Sequence, residues 1–270
     1  MPLWIVATPI GTLSDCSPRA RKVLAEATLI AAEDTRVTRR LLQSLSIDAP
    51  KIVSLRAKNE KQMAPSLLDE AMNGDLVYVC DAGTPCISDP GSTLIEQAIS
   101  KGIRILSVPG PSSLSTALAA SGFSTIPSYF AGFAPKKGRN NWLVDLLDRP
   151  ETLVVFEAPS RIIDLVRRCA ELAPNRHASL CRELSKRHEE IIRGPFEELS
   201  EVLGNHKTLK GEMVLVIGPN NDGPGHRKAL PLSGDSLKDV AKVLSARWNV
   251  SKREAYQHLL DIGKQYEDAR

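Results

Sequence analysis

Short apolar runs alternate with helical patterns through the first 121 residues of the chain. Runs of four or five apolar residues bounded by polar or Gly/Pro-rich segments are typical of buried strands. They occur at residues 3–7, 29–32 and 76–79, and mainly apolar segments of the same length occur at 52–55 and 104–108. Amphipathic or capped segments between them predict helices at residues 17–27, 37–45, 63–72, 92–101 and 114–121. This alternation predicts a parallel, doubly wound α/β sheet.

A second set of elements follows at residues 152–217. Apolar runs predict strands at 152–156, 178–181 and 213–217, with helices at 162–172 and 197–203. Residues 122–141 are rich in Ser, Thr, Pro and Gly, and we interpret them as a connector. The pattern therefore predicts a second α/β unit.

The C-terminal part begins with a polar linker at residues 219–233. Two helical patterns follow, at 236–248 and 251–264, separated by a short turn. They predict a small helix-turn-helix-like appendage. We therefore expect three domains, at residues 1–121, 122–220 and 221–270.

Six polar loops each follow one of the apolar runs, at residues 8–13, 33–36, 81–91, 109–113, 157–161 and 182–186. The loop 81–91, DAGTPCISDPG, is the densest in Gly, Pro and Asp, and so follows a demanding backbone path. The turn 109–113 opens a helix, where backbone N–H groups and the hydroxyls of Ser112 and Ser113 are suited to an anion or form an ordinary cap. Since strands of a parallel sheet end at one edge, we expect the loops to converge on an interdomain cleft.

Composition narrows the function classes. The 270 residues are 42% hydrophobic and 25% charged, with a net charge of +3, as in ordinary globular proteins. Aromatic residues make up 4%, which disfavours a base-stacking platform for single-stranded nucleic acid. The five cysteines form no CxxC pair and the five histidines have no metal-ligand spacing, so we expect a reducing compartment and no metal.

Several enzyme motifs are missing from the sequence. It has no P-loop, no GxGxxG after the first strand, no GxSxG and no HExxH. No apolar run is long enough for a membrane span, and the start lacks the features of a signal peptide. We therefore expect a soluble cytoplasmic protein.

Motifs in these loops resemble those of a known family. Their order resembles that of the ribosomal RNA small subunit methyltransferase I family, which has a tetrapyrrole-methylase-like fold. The matching stretches are VATPIGTL at 6–13, AEDTR at 32–36, DAGTPCISDPG at 81–91, VPGPS at 108–112, SG at 121–122, GF at 132–133, RELSK at 182–186 and KGE at 210–212. The resemblance covers roughly residues 3–218, and the two-helix tail resembles that family's C-terminal helical domain. The chain has Thr12 where Asn is usual, Cys86 where Gly is common and Ser185 where Thr is common.

The resemblance implies two α/β domains with S-adenosylmethionine in the cleft between them, a homodimer, and 2′-O-methylation of a cytidine ribose in the decoding region of 16S rRNA of the small ribosomal subunit. Carried over to matching positions, it implies these cofactor contacts: Pro9, Gly83, Thr84, Ile87, Ser112, Ser113, Phe156, Leu184 and Met213.

The resemblance implies that the loops 33–36 and 182–186 belong to the signature of this family more than to the wider fold, which makes them candidates for substrate handling and catalysis. We expect Lys186, with a lowered pKa, to act as general base, with Glu183 or Asp34 as second choice. Arg36 would hold a phosphate. The other reading of these residues is local salt bridges and helix caps. A set of basic residues is a candidate RNA track: Lys136, Lys137, Arg139, Arg161, Arg182 and Arg187.

Two other functions stay open at this point. Enzymes with this fold also methylate small tetrapyrroles at carbon. A ribosome-assembly factor that keeps the fold without catalysis is the second alternative. Assays with small subunits and with a uroporphyrinogen would separate these possibilities.

Overall fold

The computed structural model describes residues 2–71, 74–206, 209–220, 241, 245 and 251–267. The chain divides into two compact units, Met1–His226 and Arg227–Arg270. The first unit contains both α/β parts, and the three-domain division at residues 121 and 220 stays a prediction.

The first sheet has five parallel strands in the order β3-β2-β4-β1-β5. Its strands are β1 Leu3–Val6, β2 Leu29–Ala32, β3 Lys51–Ser54, β4 Leu76–Val79 and β5 Ile105–Val108. Its helices are α1 Pro18–Glu26, α2 Thr35–Ser44, α3 Glu60–Ala71, α4 Ser92–Ser100 and α5 Ser113–Ser121, with a single 3-10 turn at Leu13–Asp15. One apolar cluster joins α1 and α2 to one face, and another joins α3 and α4 to the opposite face. The predicted doubly wound parallel sheet is confirmed.

Local signals explain most of the helix boundaries in this half. Ser17 accepts a hydrogen bond from the Ala20 N–H at 3.1 Å, so the predicted N-cap with Pro at the first helical position is confirmed. Helix α3 begins at Glu60, three residues earlier than expected. The buried Glu60 carboxylate accepts from the N–H groups of Gly91 and Leu94, at 3.1 and 3.0 Å, and so anchors the end of the 81–91 loop.

The second sheet is mixed and has the order β6-β7-β10-β8-β9. Its strands are β6 Ser128–Phe133, β7 Thr152–Glu157, β8 His177–Arg182, β9 Glu190–Pro195 and β10 Met213–Ile217. Only β6 and β7 are parallel; the other three pairs are antiparallel. Helices α6 Arg139–Leu147, α7 Ile162–Leu172 and α8 Phe196–Gly204 pack on one face.

The prediction of a connector at residues 122–141 is wrong, because this segment contains β6 and the start of α6. Strand β6 lies at the sheet edge and is half exposed. Gly132, at φ +67°, lies within its register shift, so the alternating pattern of a regular strand is missing. Strand β9 lies at the opposite edge of the sheet and was also not predicted. Edge strands need not be apolar, so β9 lacks the apolar run that identifies a buried strand.

Helix α5 connects the two halves of the first unit. It follows the first sheet in the chain but packs on the face of the second sheet opposite α6, α7 and α8. Ala117 of α5 and Ile10 share a buried cluster with Val154, Phe156 and Val214. Burial of this cluster holds the ends of the two sheets against each other.

The second unit is described mainly by one helix, α9 Lys252–Glu267. Ser251 and Glu254 exchange hydrogen bonds between side chains and backbone N–H groups, at 2.8 and 3.2 Å, which is a capping box. The predicted helix at 251–264 is confirmed. The one predicted at 236–248 lies outside the described residues, apart from Ala241 and Ser245.

Candidate active site

A cavity of about 340 Å³ lies where the ends of the two sheets face each other. In the second sheet, Glu157 at the end of β7 and Arg182 at the end of β8 both lie opposite Met213 at the start of β10. The loops after β7 and β8 therefore meet at one edge, although the sheet is mixed. Five of the six polar loops contribute to the cavity lining, and the loop 182–186 lies behind it.

Seven of the nine predicted cofactor positions line this cavity: Gly83, Thr84, Ile87, Ser112, Ser113, Phe156 and Met213. Pro9 and Leu184 are not among the lining residues. Leu184 is buried in the apolar cluster behind the wall, together with Ile10 and Phe156. An aromatic wall is formed by Phe156 and Phe133, whose ring centroids lie 5.5 Å apart in an edge-to-face arrangement.

Backbone contacts fix the path of the 81–91 loop. Gly83, at φ +84°, exchanges backbone hydrogen bonds with Thr8 at 2.9 and 3.1 Å. The Thr84 hydroxyl donates to the Pro111 carbonyl at 3.1 Å, which ties the loop to the turn 109–113. Cys86 occupies φ +69°, so it takes the left-handed conformation that glycine adopts more easily.

Backbone strain concentrates in two loops of the described residues. Among all described residues, five non-glycine residues have positive φ. Four of these five lie in the loops 81–91 and 182–186: Cys86, Ser88, Glu183 and Ser185. Such conformations cost roughly 1–2 kcal/mol each and persist where neighbouring contacts enforce them. This clustering makes both loops functional candidates.

The N-terminus of α5 opens at the cavity. Ser112 is its N-cap but its side chain makes no capping hydrogen bond, and both Ser112 and Ser113 line the cavity. The first-turn N–H groups of a helix favour an anionic or carbonyl group. This end of the cavity is therefore suited to a carboxylate or another acceptor.

Carboxylates dominate the polar part of the lining. Glu33, Asp81, Asp89 and Glu212 all contribute. Burial and the charges of Asp89 and Asp81 raise the pKa of Glu33 above its usual range. Burial also raises the pKa of Asp89. The cavity therefore favours a cationic ligand over an anionic one.

The predicted catalytic residues Asp34 and Arg36 lie outside the lining. Asp34 caps α2 and accepts from the Arg36 backbone N–H at 2.9 Å, and from its guanidinium at 3.0 and 2.6 Å. These bonds hold the pKa of Asp34 well below its usual range. The guanidinium of Arg36 is 74% exposed but bonded to Asp34, so the cap and salt-bridge reading describes this pair in the structure.

Glu183 and Lys186 form a network next to the cavity. The Lys186 ammonium lies 2.8 Å from Glu183 and 3.3 Å from Glu212, and Glu183 also accepts from the Glu212 backbone N–H at 2.9 Å. Burial lowers the pKa of Lys186, but its bonds to Glu183 and Glu212 outweigh burial, so the pKa is raised. The expected lowering of the lysine pKa is therefore wrong for this arrangement. Since Glu212 lines the cavity, Lys186 lies one side chain away from it.

A hydrogen-bonded contact links the 182–186 loop to the first half of the unit. Ser185 donates to the Asp15 carboxylate at 2.5 Å and accepts from the Thr12 backbone N–H at 3.2 Å. The Thr12 hydroxyl donates to the Ser185 carbonyl at 2.6 Å. Thr12 and Ser185, two of the positions where the chain differs from the family pattern, thus contact each other.

Two of the predicted RNA-track arginines are largely committed to internal ion pairs. Arg139 and Arg161 both bind the buried Glu157 carboxylate, at 2.7 and 2.5 Å. Arg182 pairs with Glu190 at 2.8 Å. Lys136 and Lys137 are exposed.

Within the described ranges, no group of three or more His, Cys, Asp or Glu residues could hold a metal ion. None of the helices described is long and apolar enough to cross a membrane.

Sequence reasoning missed several lining residues as individual positions. Glu33, Asp81, Asp89 and Glu157 belong to loops that were singled out, and their position at a strand end was the available signal. Phe133 belongs to a short family match at 132–133, but it was given no role because β6 was not predicted. Glu212 precedes β10 and does not follow an apolar run. It reaches the cavity because β10 lies between β7 and β8 in the second sheet.

Comparisons with known proteins agree with this architecture. A family model described as Tetrapyrrole (Corrin/Porphyrin) Methylases matches residues 2–200. Ribosomal RNA small subunit methyltransferase I of Halalkalibacterium halodurans is 42% identical over 223 residues, covering 82% of this chain and 76% of the relative. The protein of the same description from Pseudomonas aeruginosa is 40% identical over 272 residues, covering 96% of each chain.

Solved structures share the fold at lower identity. Uroporphyrin-III C-methyl transferase from Thermus thermophilus, complexed with S-adenyl homocysteine, gives a TM-score of 0.56 at 18% identity, covering 81% of this chain and 97% of that chain. Diphthine synthase gives a TM-score of 0.61 at 14% identity, covering 80% and 89%. The family match over most of the chain and the identity to its relatives show that this chain belongs to the tetrapyrrole methylase family and, within it, to the ribosomal RNA small subunit methyltransferase I family.

Proposed function

We propose that this chain is an S-adenosylmethionine-dependent methyltransferase that methylates the ribose 2′-hydroxyl of a cytidine in the decoding region of 16S rRNA. One observation carries the proposal: the loops with the family motifs form a cavity lined by carboxylates and an aromatic wall. The relatives named ribosomal RNA small subunit methyltransferase I support rRNA as the substrate.

The residues of the cavity fit this cofactor. Its volume of about 340 Å³ lies within the range of small-molecule sites. Phe156, Ile87 and Met213 supply apolar surface for a flat base, and the α5 N-terminus supplies N–H groups for a carboxylate. The carboxylates of Glu33, Asp81 and Asp89 suit a positively charged sulfur. These residues, with Gly83, Thr84, Ser112 and Ser113, would hold the cofactor.

When bound, the cofactor supplies an electrophilic methyl group on a cationic sulfur. The chain's own residues must hold the ribose oxygen in line with that group, which is worth on the order of 7 kcal/mol or more. The apolar wall excludes water and so favours a reaction in which opposite charges are neutralised.

The proton of the ribose hydroxyl needs an acceptor at the cavity edge. Lys186 stays our first candidate, and in the observed network it must first pass a proton to Glu183 or Glu212. Glu33 is a further candidate because it lines the cavity and its pKa is raised. Asp34 can act as the base only when its ion pair with Arg36 opens, and Arg36, whose side chain is 74% exposed, is proposed to hold an RNA phosphate.

The test uses purified protein, labelled S-adenosylmethionine and small subunits from a strain that lacks the corresponding methyltransferase. We expect label to enter 16S rRNA at one cytidine, whose 2′-O-methyl group makes the adjacent bond resistant to alkaline hydrolysis. Transfer to a uroporphyrinogen instead would establish the small-molecule alternative. Absence of any transfer, with cofactor bound, would support a non-catalytic assembly factor.

A homodimer in the cytoplasm stays part of the proposal. Light scattering on the purified chain measures the oligomeric state, and a mass of about 29.4 kDa would contradict the dimer. Fractionation of cells that produce the protein tests its location.

A further inference from the structure

A second cavity, also of about 340 Å³, shares the 157–161 loop with the candidate active site. Glu157, Ala158 and Pro159 line the first cavity, whereas Ser160 and Arg161 line the second. The other lining residues of the second cavity are Lys136, Arg139, Asn140, Asp164 and Arg168. We call it the basic cavity.

The ion pairs of the basic cavity leave it with excess positive charge. Glu157, whose side chain is fully buried, pairs with Arg139 at 2.7 Å and with Arg161 at 2.5 Å. Asp164 pairs with Arg139 at 3.3 Å and with Arg168 at 3.0 Å. Two carboxylates thus face three guanidinium groups and the exposed Lys136.

Arg161 retains an unused donor in this cavity. Its Nη1 is buried and makes no hydrogen bond to any described group, while its Nη2 binds Glu157. A buried charged donor without a partner is rare in folded proteins, and bonding to a ligand is one of the ways in which such a donor is satisfied. A guanidinium presents its N–H groups in the planar fork that fits two oxygens of a phosphate.

The start of α7 adds a second, independent feature. Arg161 is the N-cap of this 11-residue helix and makes no side-chain capping bond. First-turn N–H groups favour negative charge, and Asp164 in that turn satisfies only part of this preference. The site therefore combines cations, an unpartnered buried donor and a helix N-terminus.

We propose that the basic cavity binds a backbone phosphate of the RNA strand beside the methylated nucleotide. The proposal rests on the proposed function, because it takes the occupant of the first cavity to be a ribonucleotide. Pro159 and Arg161 are two residues apart, hence at most about 7 Å between Cα atoms, which is within the span of one nucleotide. Since the first cavity is acidic, the neighbouring phosphate needs positive charge outside it.

The test compares Lys136→Ala, Arg168→Gln and Arg161→Lys with the wild type. Arg161→Lys keeps the charge facing Glu157 but lacks the planar fork. Lys22→Ala is the matched control, because Lys22 is an exposed helical lysine with only a 3.9 Å pair to Glu26. Binding of undermethylated small subunits is measured without cofactor at several salt concentrations.

We expect each cavity variant to weaken subunit binding by about 3- to 10-fold. Lys136→Ala and Arg168→Gln each remove one positive charge and should reduce the slope of log affinity against log salt by about 0.7–0.9, whereas Arg161→Lys keeps its charge and should leave the slope unchanged. Affinity for S-adenosylhomocysteine and the thermal midpoint should stay at wild-type values. Arg161→Gln is added as the larger change, with its thermal midpoint measured to detect unfolding.

Affinities and salt slopes equal to those of Lys22→Ala in all of the folded cavity variants would overturn the proposal. Because this assay needs no methyl transfer, it is decided separately from the proposed function. If the wild type binds subunits but transfers no methyl group, the proposed activity is contradicted. The phosphate site is then still tested by the salt slopes of the variants.

Discussion

The two cavities beside the 157–161 loop have similar volumes and opposite charge. The candidate active site is lined by Glu33, Asp81 and Asp89, whereas the basic cavity is lined by three arginines and Lys136. Glu157 belongs to the boundary between them: it lines the acidic cavity and binds the arginines of the basic one.

This difference indicates how one enzyme would accommodate two oppositely charged partners. A cationic sulfur is favoured near carboxylates, and a polyanionic strand is favoured near guanidinium groups. Placing both sets in one cavity would neutralise them by mutual ion pairs. The structure keeps them apart with a five-residue loop.

The largest expected effect comes from Lys186→Ala, which tests whether the network beside the acidic cavity performs the chemistry. We expect methyl transfer to fall by at least about 100-fold, the usual range for loss of a general base. Binding of S-adenosylhomocysteine, measured by calorimetry, should stay nearly unchanged, since Lys186 does not line the cavity.

Arg187→Ala is the control for Lys186→Ala, because Arg187 is the adjacent basic residue. Unchanged turnover in Lys186→Ala would remove the lysine from the mechanism and leave Glu33 as the candidate proton acceptor. A turnover loss shared equally by both variants would instead indicate a general effect of charge on RNA binding.

The contrast between the two walls of the acidic cavity also explains what the sequence could predict. The first wall follows buried parallel strands, whose apolar runs and strand-end loops are visible as local patterns. These patterns predicted that the loops with Gly83, Thr84 and Ser112 lie at a cleft, whereas the choice of these residues as cofactor contacts came from the family resemblance. The second wall depends on an edge strand with an irregular register and on an antiparallel β10. These long-range pairings leave no local periodicity, so Phe133 and Glu212 were matched to the family motifs but were not assigned to the site.

Ion pairing likewise has no local signature. Arg139 and Arg161 belong to the set of basic residues that the sequence offers as a candidate RNA track. Their side chains are 12% and 26% exposed and share Glu157, which lies 18 residues from Arg139 and four from Arg161. Only the fold shows that both arginines pair with a buried carboxylate at the edge of the basic cavity.

Glu157→Gln tests the boundary between the cavities and has the largest expected effect on stability. The substitution preserves shape but leaves Arg139 and Arg161 without their buried countercharge, which typically costs about 3–5 kcal/mol. Urea unfolding should show a lower midpoint at an unchanged slope. Asp164→Asn is the comparison, since that carboxylate is 43% exposed and its loss should cost about 1 kcal/mol or less. Equal losses in both variants would show that Glu157 is not the electrostatic boundary.

Ser185→Ala tests the contact that joins the two walls of the acidic cavity. Loss of the hydroxyl removes its bonds to Asp15 and Thr12, which should cost about 1 kcal/mol. Ser185→Gly separates the loss of the hydroxyl from the effect of backbone strain. Glycine also lacks the hydroxyl but adopts φ +64° without strain. We expect weaker cofactor binding in both variants and an unchanged salt slope for RNA. A changed salt slope would mean that the contact also positions the basic cavity.

The smallest effect on stability and on ligand affinity is expected for Glu33→Gln. This variant tests whether the negative charge of the acidic cavity stabilises a bound cation. The folded-state pKa of Glu33 is raised by burial and by Asp89 and Asp81. The stability it contributes is therefore full below its unfolded pKa, near 4.3, and is lost as pH rises through the folded pKa. Since glutamine does not titrate, the variant should be more stable than the wild type at pH 7.5, and this gain should disappear toward pH 4.

At neutral pH the Glu33→Gln variant should also bind S-adenosylmethionine more weakly while binding the uncharged-sulfur product, S-adenosylhomocysteine, equally well. Equal weakening for both ligands would show that Glu33 contributes shape or hydrogen bonding instead of charge.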